Sequence, residues 1–290
     1  MGVGDELRSR RVQRQMAHAA RRRRSSLPGL LVVALVCAVA LVAVAHARGL
    51  DLRRPGDLAA LFRPQVVVQV DGKAYAVPRP APAHGRLLPA VPVTTTGSYA
   101  FLHTVDAGPV GYDPCRPVRY VVRPQGAPPG GEELVTRAVA EVSAATGLEF
   151  VDAGTTDEAP TVDRPLLQSR YGQDWAPVLI AWSTPRELPQ LAGDVAGIGG
   201  SAAVPGADGR GTWLAAGRLA LDAGDLGRMI HAGRADAAEA VVLHELSHVV
   251  GLDHVDDPDE LMYPTTSRRV DLGPGDRAGL ALVGQVACQP

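Results

Sequence analysis

Residues 244–254 read HELSHVVGLDH, and this stretch decides how the chain folds around its candidate site. It closes a run of small and apolar residues whose pattern predicts a helix from Arg234 to Val250. Residues four apart lie on one face of a helix, so the imidazoles of His244 and His248 can reach one metal ion. Glu245 lies a step further round the helix and can reach a bound water instead. The spacing therefore predicts two metal ligands and one general base.

The sequence after this helix predicts that the chain turns back towards the metal. Gly251 follows the second histidine by three residues, where a residue able to adopt positive φ can end the helix. His254 then returns as a third ligand. Three neutral imidazoles leave the fourth tetrahedral position to water, as in catalytic rather than structural zinc sites. We therefore predict one catalytic Zn2+ on His244, His248 and His254, which activates a water for hydrolysis with Glu245 as general base.

The motif resembles the metzincin signature, H-E-x-x-H-x-x-G-x-x-H followed by a methionine turn, and is most similar to that of the matrixins. Residues 261–264, LMYP, match the matrixin turn in sequence and in distance from His254. The resemblance implies that Met262 forms a hydrophobic floor beneath the zinc. It also implies that Tyr263 and Pro264 lie beside the pocket for the substrate side chain that follows the cleaved bond. The activity implied is that of a zinc metalloendopeptidase of the matrixin type.

The resemblance covers Cys115 to Cys288 and is specific over the last third of the chain. Residues 276–284, DRAGLALVG, resemble the closing helix of the family. Residues 192–221 lack the histidine and aspartate clusters that hold structural ions in matrixins. We therefore predict neither structural zinc nor calcium.

The order of hydrophobic patterns predicts an α/β (α+β) metzincin-like fold, a mixed twisted sheet with an active-site helix, a methionine turn and a C-terminal helix. A first helix is predicted from Glu132 to Gly147, with its apolar stripe at Leu134, Val135, Ala138, Val139, Val142 and Ala145. Strands are predicted at 118–122, 148–151, 177–182 and 218–221. The glycine-rich stretch from Gly193 to Gly211 is interpreted as a long loop with room for a short edge strand.

An apolar run precedes the domain. Residues 30–45, LLVVALVCAVALVAVA, contain no polar side chain, and four arginines lie just upstream. With its flanks the run reaches a membrane-spanning length, and the arginines predict that residues 1–26 form a basic cytoplasmic N-terminus. We predict a signal anchor at 27–47 in the cell membrane, single-pass, with the C-terminal domain extracytoplasmic. The competing prediction is a signal peptide cleaved near Ala47 and secretion of the rest, because the residues there fit the small-x-small pattern.

Residues 48–114 are predicted to form an extracytoplasmic stalk or linker. Within it, Val66–Val70 and Lys73–Val77 flank an Asp-Gly pair, which favours a small β-hairpin. Five prolines in 78–97 favour an extended spacer. The zinc peptidase domain is accordingly placed at 115–290.

The three cysteines and the charge distribution limit the environment and the partners. Cys37 lies inside the apolar run, whereas Cys115 and Cys288 bracket the domain. In an oxidising compartment a disulfide between these two is favoured over metal ligation, because no C-x-x-C spacing exists.

Residues 1–26 carry eight arginines and two acidic residues, which leaves the rest of the chain mildly acidic. That balance argues against nucleic acid as a partner, and we expect a monomer.

Three hypotheses about function follow. The first is an exported, membrane-tethered endopeptidase that cuts extended peptide or protein segments laid beside an edge strand, the binding mode that the family implies. The second is a catalytically inactive zinc-binding module that recognises a protein partner, and the presence of Glu245 argues against it because binding needs no base. The third is a surface protein whose function resides in residues 48–114.

Overall fold

The computed structural model describes residues 27–47, 63–265 and 269–290. The chain divides into two compact units, one up to Phe62 and one from Arg63 to Pro290. The predicted basic N-terminus at 1–26 lies outside the described residues, as does the part of the predicted linker at 48–62.

The first unit contains one described helix, α1, at Leu27–Ala47, over the segment predicted as the anchor. Searched over the residues that the structure describes, the helices include none that is long and apolar enough to cross a membrane. The predicted transmembrane span has no support from the structure.

The second unit is a mixed α/β domain. Its strands are β1 (Gln65–Val70), β2 (Lys73–Pro78), β3 (Ala100–Phe101), β4 (Thr104–Val105), β5 (Gly108–Pro109), β6 (Val118–Arg123), β7 (Phe150–Thr155), β8 (Val178–Ser183), β9 (Gly197–Pro205), β10 (Thr212–Asp222) and β11 (Leu252–Asp253). Its helices are α2 (Gly131–Thr146), α3 (Ala223–His231), α4 (Ala235–Val250) and α5 (Pro274–Val283), with 3-10 turns at Ser169–Tyr171 and Pro189–Leu191.

The central sheet has five strands in the order β7-β6-β8-β10-β9. The first four strands are parallel to their neighbours, and β9 runs antiparallel to β10 at the edge. The predicted mixed sheet is therefore confirmed at this level of description, and α4 carries the His-Glu motif as expected.

Helices α2 and α4 pack on one face of the sheet and enclose the main core. The whole predicted apolar stripe of α2 is buried. It meets buried residues of the sheet and of α4, among them Ile180, Trp182, Leu219, Leu243 and Leu246. Burying these side chains supplies the dominant stabilising term for the domain.

The predicted hairpin exists as β1 and β2, paired in antiparallel register from Gln65↔Pro78 to Val70↔Lys73. Val70 packs with Val204 and Ala215 in a second, smaller apolar cluster on the sheet. Tyr75 stacks at a tilt on Trp175, with ring centroids 5.7 Å apart. The hairpin is thus packed into the second unit.

The glycine-rich stretch differs most from its prediction. Where a long loop with a short edge strand was expected, it contains β9, a nine-residue antiparallel edge strand. A Cβ atom on Gly199 would lie 2.0 Å from the backbone oxygen of Glu245. Ser201, on the same side of the strand, donates from Oγ to the carbonyl oxygen of Val249 at 2.7 Å. The small residues at alternate positions let the edge strand lie directly against α4, so glycine here serves close packing and not a loop.

Residues 78–97 also differ from the spacer that was expected, because this irregular segment packs on the domain. The guanidinium of Arg86 donates to the carbonyl oxygens of Gly147 and Gly284, the residues that cap the C-termini of α2 and α5. A cation at a helix C-terminus satisfies free carbonyl groups and complements the helix dipole. Proline favours irregular chain, as predicted, but hydrogen bonds hold that chain on the surface of the folded unit.

Cys115 and Cys288 form the predicted disulfide across a sequence separation of 173 residues, and Cys37 is free. The indole Nε1 of Trp213 donates to the carbonyl oxygen of Ala287 at 2.8 Å. The disulfide therefore fastens the segment after α5 to the residues just before β6.

We expect the double substitution Cys115→Ser and Cys288→Ser to lower the free energy of unfolding by about 2–5 kcal/mol, because the bridge limits the entropy of a long loop in the unfolded chain. Urea titration of the full chain measures the change, with Cys37→Ser as the matched control. Equal unfolding midpoints for the parent and the double variant would contradict this role.

Two adjacent glycines test the packing of β9 on α4. Gly199→Ala places a methyl group against the backbone of Glu245 and should cost about 1–3 kcal/mol of stability. Gly200→Ala meets no atom within 4 Å and should stay within about 0.5 kcal/mol of the parent. Thermal unfolding of both variants provides the comparison, and equal losses would show that the strand is not held this closely.

Candidate metal centre

The three predicted ligands converge. Helix α4 presents His244 and His248, and the chain turns at Gly251, whose φ of 120° lies in the region that favours glycine. Strand β11 then leads into His254. The Nε2 atom of His254 lies 3.1 Å from Nε2 of His244 and 3.1 Å from Nε2 of His248. A helix and one tight turn thus bring together three nitrogens from a short stretch of sequence.

Backbone carbonyls fix two of these rings. Nδ1 of His244 lies 2.7 Å from the carbonyl oxygen of Leu261, and Nδ1 of His248 lies 2.8 Å from that of Leu252. A carbonyl oxygen only accepts, so each Nδ1 carries a proton and donates it, and each neutral ring then has its lone pair on Nε2. Such outer hydrogen bonds orient imidazoles that bind metals.

The surroundings keep both rings neutral. Burial is the main cause that lowers the pKa of His244 to about 4; the hydrogen bond to Leu261 opposes the shift and the neighbouring His254 adds to it. Burial likewise lowers the pKa of His248 to about 4, with a further contribution from His244. Both rings are therefore neutral at pH 7, which is the form that binds a metal.

The donor set fits zinc. Tetrahedral coordination at a Zn–N distance of about 2.0–2.1 Å separates ligand nitrogens by roughly 3.3 Å, close to the two separations of 3.1 Å seen here. Lone pairs on adjacent Nε2 atoms repel one another unless a cation lies between them. His244, His248 and His254 can therefore hold a metal ion.

Glu245 lies beside this cluster, between α4 and the edge strand. Burial raises the pKa of its carboxyl group to about 7, and a hydrogen bond from the backbone N–H of Gly199 opposes the rise. Its side chain passes close to Gly197, where a Cβ atom would lie 2.6 Å from Cγ of Glu245. A carboxyl group with a pKa near neutrality can both accept and donate a proton in that pH range.

Met262 is 1% exposed, in the turn that follows His254, and the role implied for it as a floor beneath the zinc stays a prediction. Asp276, on α5, is fully buried and accepts from the backbone N–H groups of Leu261 at 2.6 Å and of Met262 at 3.2 Å. Because the Leu261 carbonyl holds His244, Asp276 positions a predicted ligand through one peptide group. Asp276 was not among the predicted site residues, although an acidic residue in the first turn of a helix can accept hydrogen bonds from backbone N–H groups.

Glu260 forms a second link between this turn and α5. Its carboxylate accepts from the backbone N–H groups of Gly275 at 2.8 Å and Asp276 at 3.0 Å, at the start of α5. Burial raises the pKa of Glu260, and the nearby Asp276 carboxylate contributes to the rise. The Glu260 carboxylate therefore binds the backbone at the start of α5, and the Asp276 carboxylate binds the backbone of the turn at Leu261. Together they join this turn to α5.

Tyr263 and Pro264 follow Met262 at the surface, half-buried and exposed respectively. The backbone N–H of Tyr263 donates to the carbonyl of Glu260. Residues 266–268, which follow them, lie outside the described residues. The roles implied for Tyr263 and Pro264 in a substrate pocket stay predictions.

The site combines three histidine ligands with one carboxylate. Two histidines lie on a helix, the third follows a glycine turn, and the carboxylate directly follows the first histidine. This combination is typical of a metal-dependent hydrolase. Residues 195–283 match the family model described as Matrixin, of the peptidase M10 group. The match confirms the resemblance to the matrixins over this part of the chain and indicates a zinc-dependent metalloprotease. No curated protein matches the chain significantly.

The raised pKa of Glu245 makes stability depend on pH in the metal-free protein. The folded value of about 7 exceeds the ordinary 4.5, so the folded state binds more protons between these values and stability falls as pH rises through them. Glu245→Gln removes that cost, and we expect it to raise the free energy of unfolding by roughly 1–3 kcal/mol at pH 8. The gain should shrink towards pH 5 in parallel urea titrations, and a gain independent of pH would contradict this account.

Proposed function

We propose that this protein is a zinc endopeptidase that hydrolyses peptide bonds with Glu245 as general base. The observation that carries the proposal is the convergence of the Nε2 atoms of His244, His248 and His254, with Glu245, whose carboxyl pKa lies near neutrality, on the same helix as two of them. The matrixin match over the same residues supports the same activity.

Zinc, when bound by His244, His248 and His254, would polarise the scissile carbonyl and make a water more acidic. Glu245 would then serve as the general base that accepts a proton from the attacking water and returns it to the departing amine. Gly199 donates its N–H to the Glu245 carboxylate and thereby keeps the base oriented. No covalent intermediate with the protein is required.

The edge strand β9 is our proposed platform for the substrate. It is the last strand of the five-stranded sheet and pairs with β10 on one side. An extended peptide can align with such an edge through backbone hydrogen bonds. Because Glu245 lies directly under β9, a peptide on that edge passes close to the base. Peptide or protein segments that can extend are accordingly the substrate class.

We also propose that the domain acts outside the cytoplasm. The disulfide between Cys115 and Cys288 supports this location, since such bonds persist in oxidising compartments. Residues 27–47 are proposed to direct export.

The decisive experiment compares the full chain with Glu245→Gln and with Glu239→Gln, a matched control on the same helix whose carboxylate pairs with Arg137. Cleavage of a quenched-fluorescent peptide library should fall about 10²–10⁴-fold in Glu245→Gln, while zinc stays near one ion per chain. Glu239→Gln should cleave like the parent.

Stoichiometric zinc without cleavage in the parent chain would contradict the endopeptidase. That result would favour the second candidate, a zinc-binding module that recognises a protein partner. The position of Glu245 beside the three nitrogens favours the enzyme, because a purely binding site gains nothing from a buried base.

A further inference from the structure

We propose that residues 95–102, upstream of the region that matches the matrixin model, are a positioning part of the metal centre and set its affinity for zinc. This segment 95–102 falls within the stretch predicted as a linker. The inference rests on the proposed function, because it concerns the same three ligands.

Segment 95–102 first holds the turn that carries His254. Strand β3 within it pairs antiparallel with β11, in the register Leu252↔Phe101 and Asp253↔Ala100. The backbone N–H of Leu102 donates to the carbonyl oxygen of Gly251 at 3.0 Å. The three residues that precede His254 are thus each opposite a residue of the segment.

The pairing reaches a second ligand through Leu252. The carbonyl oxygen of Leu252 accepts from Nδ1 of His248, and Leu252 is also the residue opposite Phe101. Phe101 itself packs on the main core. A shift of β3 would therefore move the acceptor that orients His248 and the backbone that places His254.

Segment 95–102 also contacts the elements that hold His244. Oγ of Ser98 donates to Asp257 at 2.8 Å, and Oγ1 of Thr95 donates to the carbonyl oxygen of Pro274 at 2.7 Å. These contacts join the turn after His254 to the start of α5. The Asp276 carboxylate on α5 then fixes Leu261, whose carbonyl orients His244.

Segment 95–102 lies so close to Glu260 and to the start of α5 that neither Gly97 nor Gly275 has room for a side chain. A Cβ atom on Gly97 would lie 2.3 Å from Oε1 of Glu260 and 2.3 Å from the backbone nitrogen of Gly275. A Cβ atom on Gly275 would lie 2.1 Å from the carbonyl oxygen of Ser98. Such distances are too short for any real contact, so glycine at 97 and 275 is required for the segment to lie where it does.

The experiment measures the zinc dissociation constant of the full chain by competition with a chromogenic chelator, at a temperature where every variant is folded by circular dichroism. In Gly97→Ala the new methyl group displaces the segment, and we expect the dissociation constant to rise at least about tenfold, the scale seen when partners of metal ligands are lost. Ser98→Ala removes only the hydrogen bond to Asp257 and should raise the constant by a smaller factor, about twofold to threefold.

Two controls separate positioning from general destabilisation. Gly227→Ala makes the same chemical change in α3, where the new Cβ meets only Pro128 at 3.4 Å. Val77→Ala removes buried methyl groups from the hairpin and should lower the melting temperature without changing zinc affinity. Both controls should bind zinc like the parent.

Weaker zinc binding in Gly97→Ala and Ser98→Ala, with parental binding in both controls, supports the inference. Parental affinity in Gly97→Ala and Ser98→Ala would overturn it while leaving the proposed function intact. If Gly97→Ala does not fold, Ser98→Ala alone decides by the same criterion. A parent chain that binds no zinc would overturn the proposed function and the inference with it.

Discussion

Three imidazole nitrogens, Nε2 of His244, His248 and His254, converge on one point, and the fold must hold the three rings in that arrangement. Each restraint acts through a peptide group. The carbonyl of Leu261 orients His244, the carbonyl of Leu252 orients His248, and the turn at Gly251 places His254. Because these carbonyls belong to the two-residue strand β11 and to the turn at Leu261, those short segments themselves need fixed partners. Much of the structure around α4 supplies those partners, which makes the site rigid before any ion binds.

The ligand set was predictable because it is local. His244, Glu245 and His248 occupy neighbouring positions on one helix, and the glycine at Gly251 returns the chain to His254 shortly afterwards. Helical periodicity and the conformational range of glycine suffice to place such groups without any knowledge of distant contacts. The apolar stripe of α2 was predictable for the same reason, since burial follows its period. Met262 was indicated only by resemblance to a family, because a single methionine has no periodicity.

The supporting contacts were not predictable because they join residues far apart in sequence. Asp276, in the first turn of α5, binds the turn at Leu261 and Met262, and Ser98 donates to Asp257 across a sequence separation of 159 residues. The length of the edge strand β9, for which only a short strand was expected, was underestimated for a different reason. Glycine is common in loops and is also required where two backbones touch, and composition does not separate these uses. The pattern that distinguishes close packing from a loop is the alternation of small residues at Gly197, Gly199 and Ser201.

The disulfide has a consequence for the order of events during biosynthesis. Cys115 shortly precedes β6, an inner strand of the sheet and the first of its five strands to be synthesised, whereas Cys288 follows α5. The bond therefore cannot close until all the intervening residues have left the ribosome. The sheet can begin to assemble on the nascent chain, but covalent locking waits for the last helix and for an oxidant. A chain released early would remain unlocked, so the completed bond marks molecules that have been translated through Cys288.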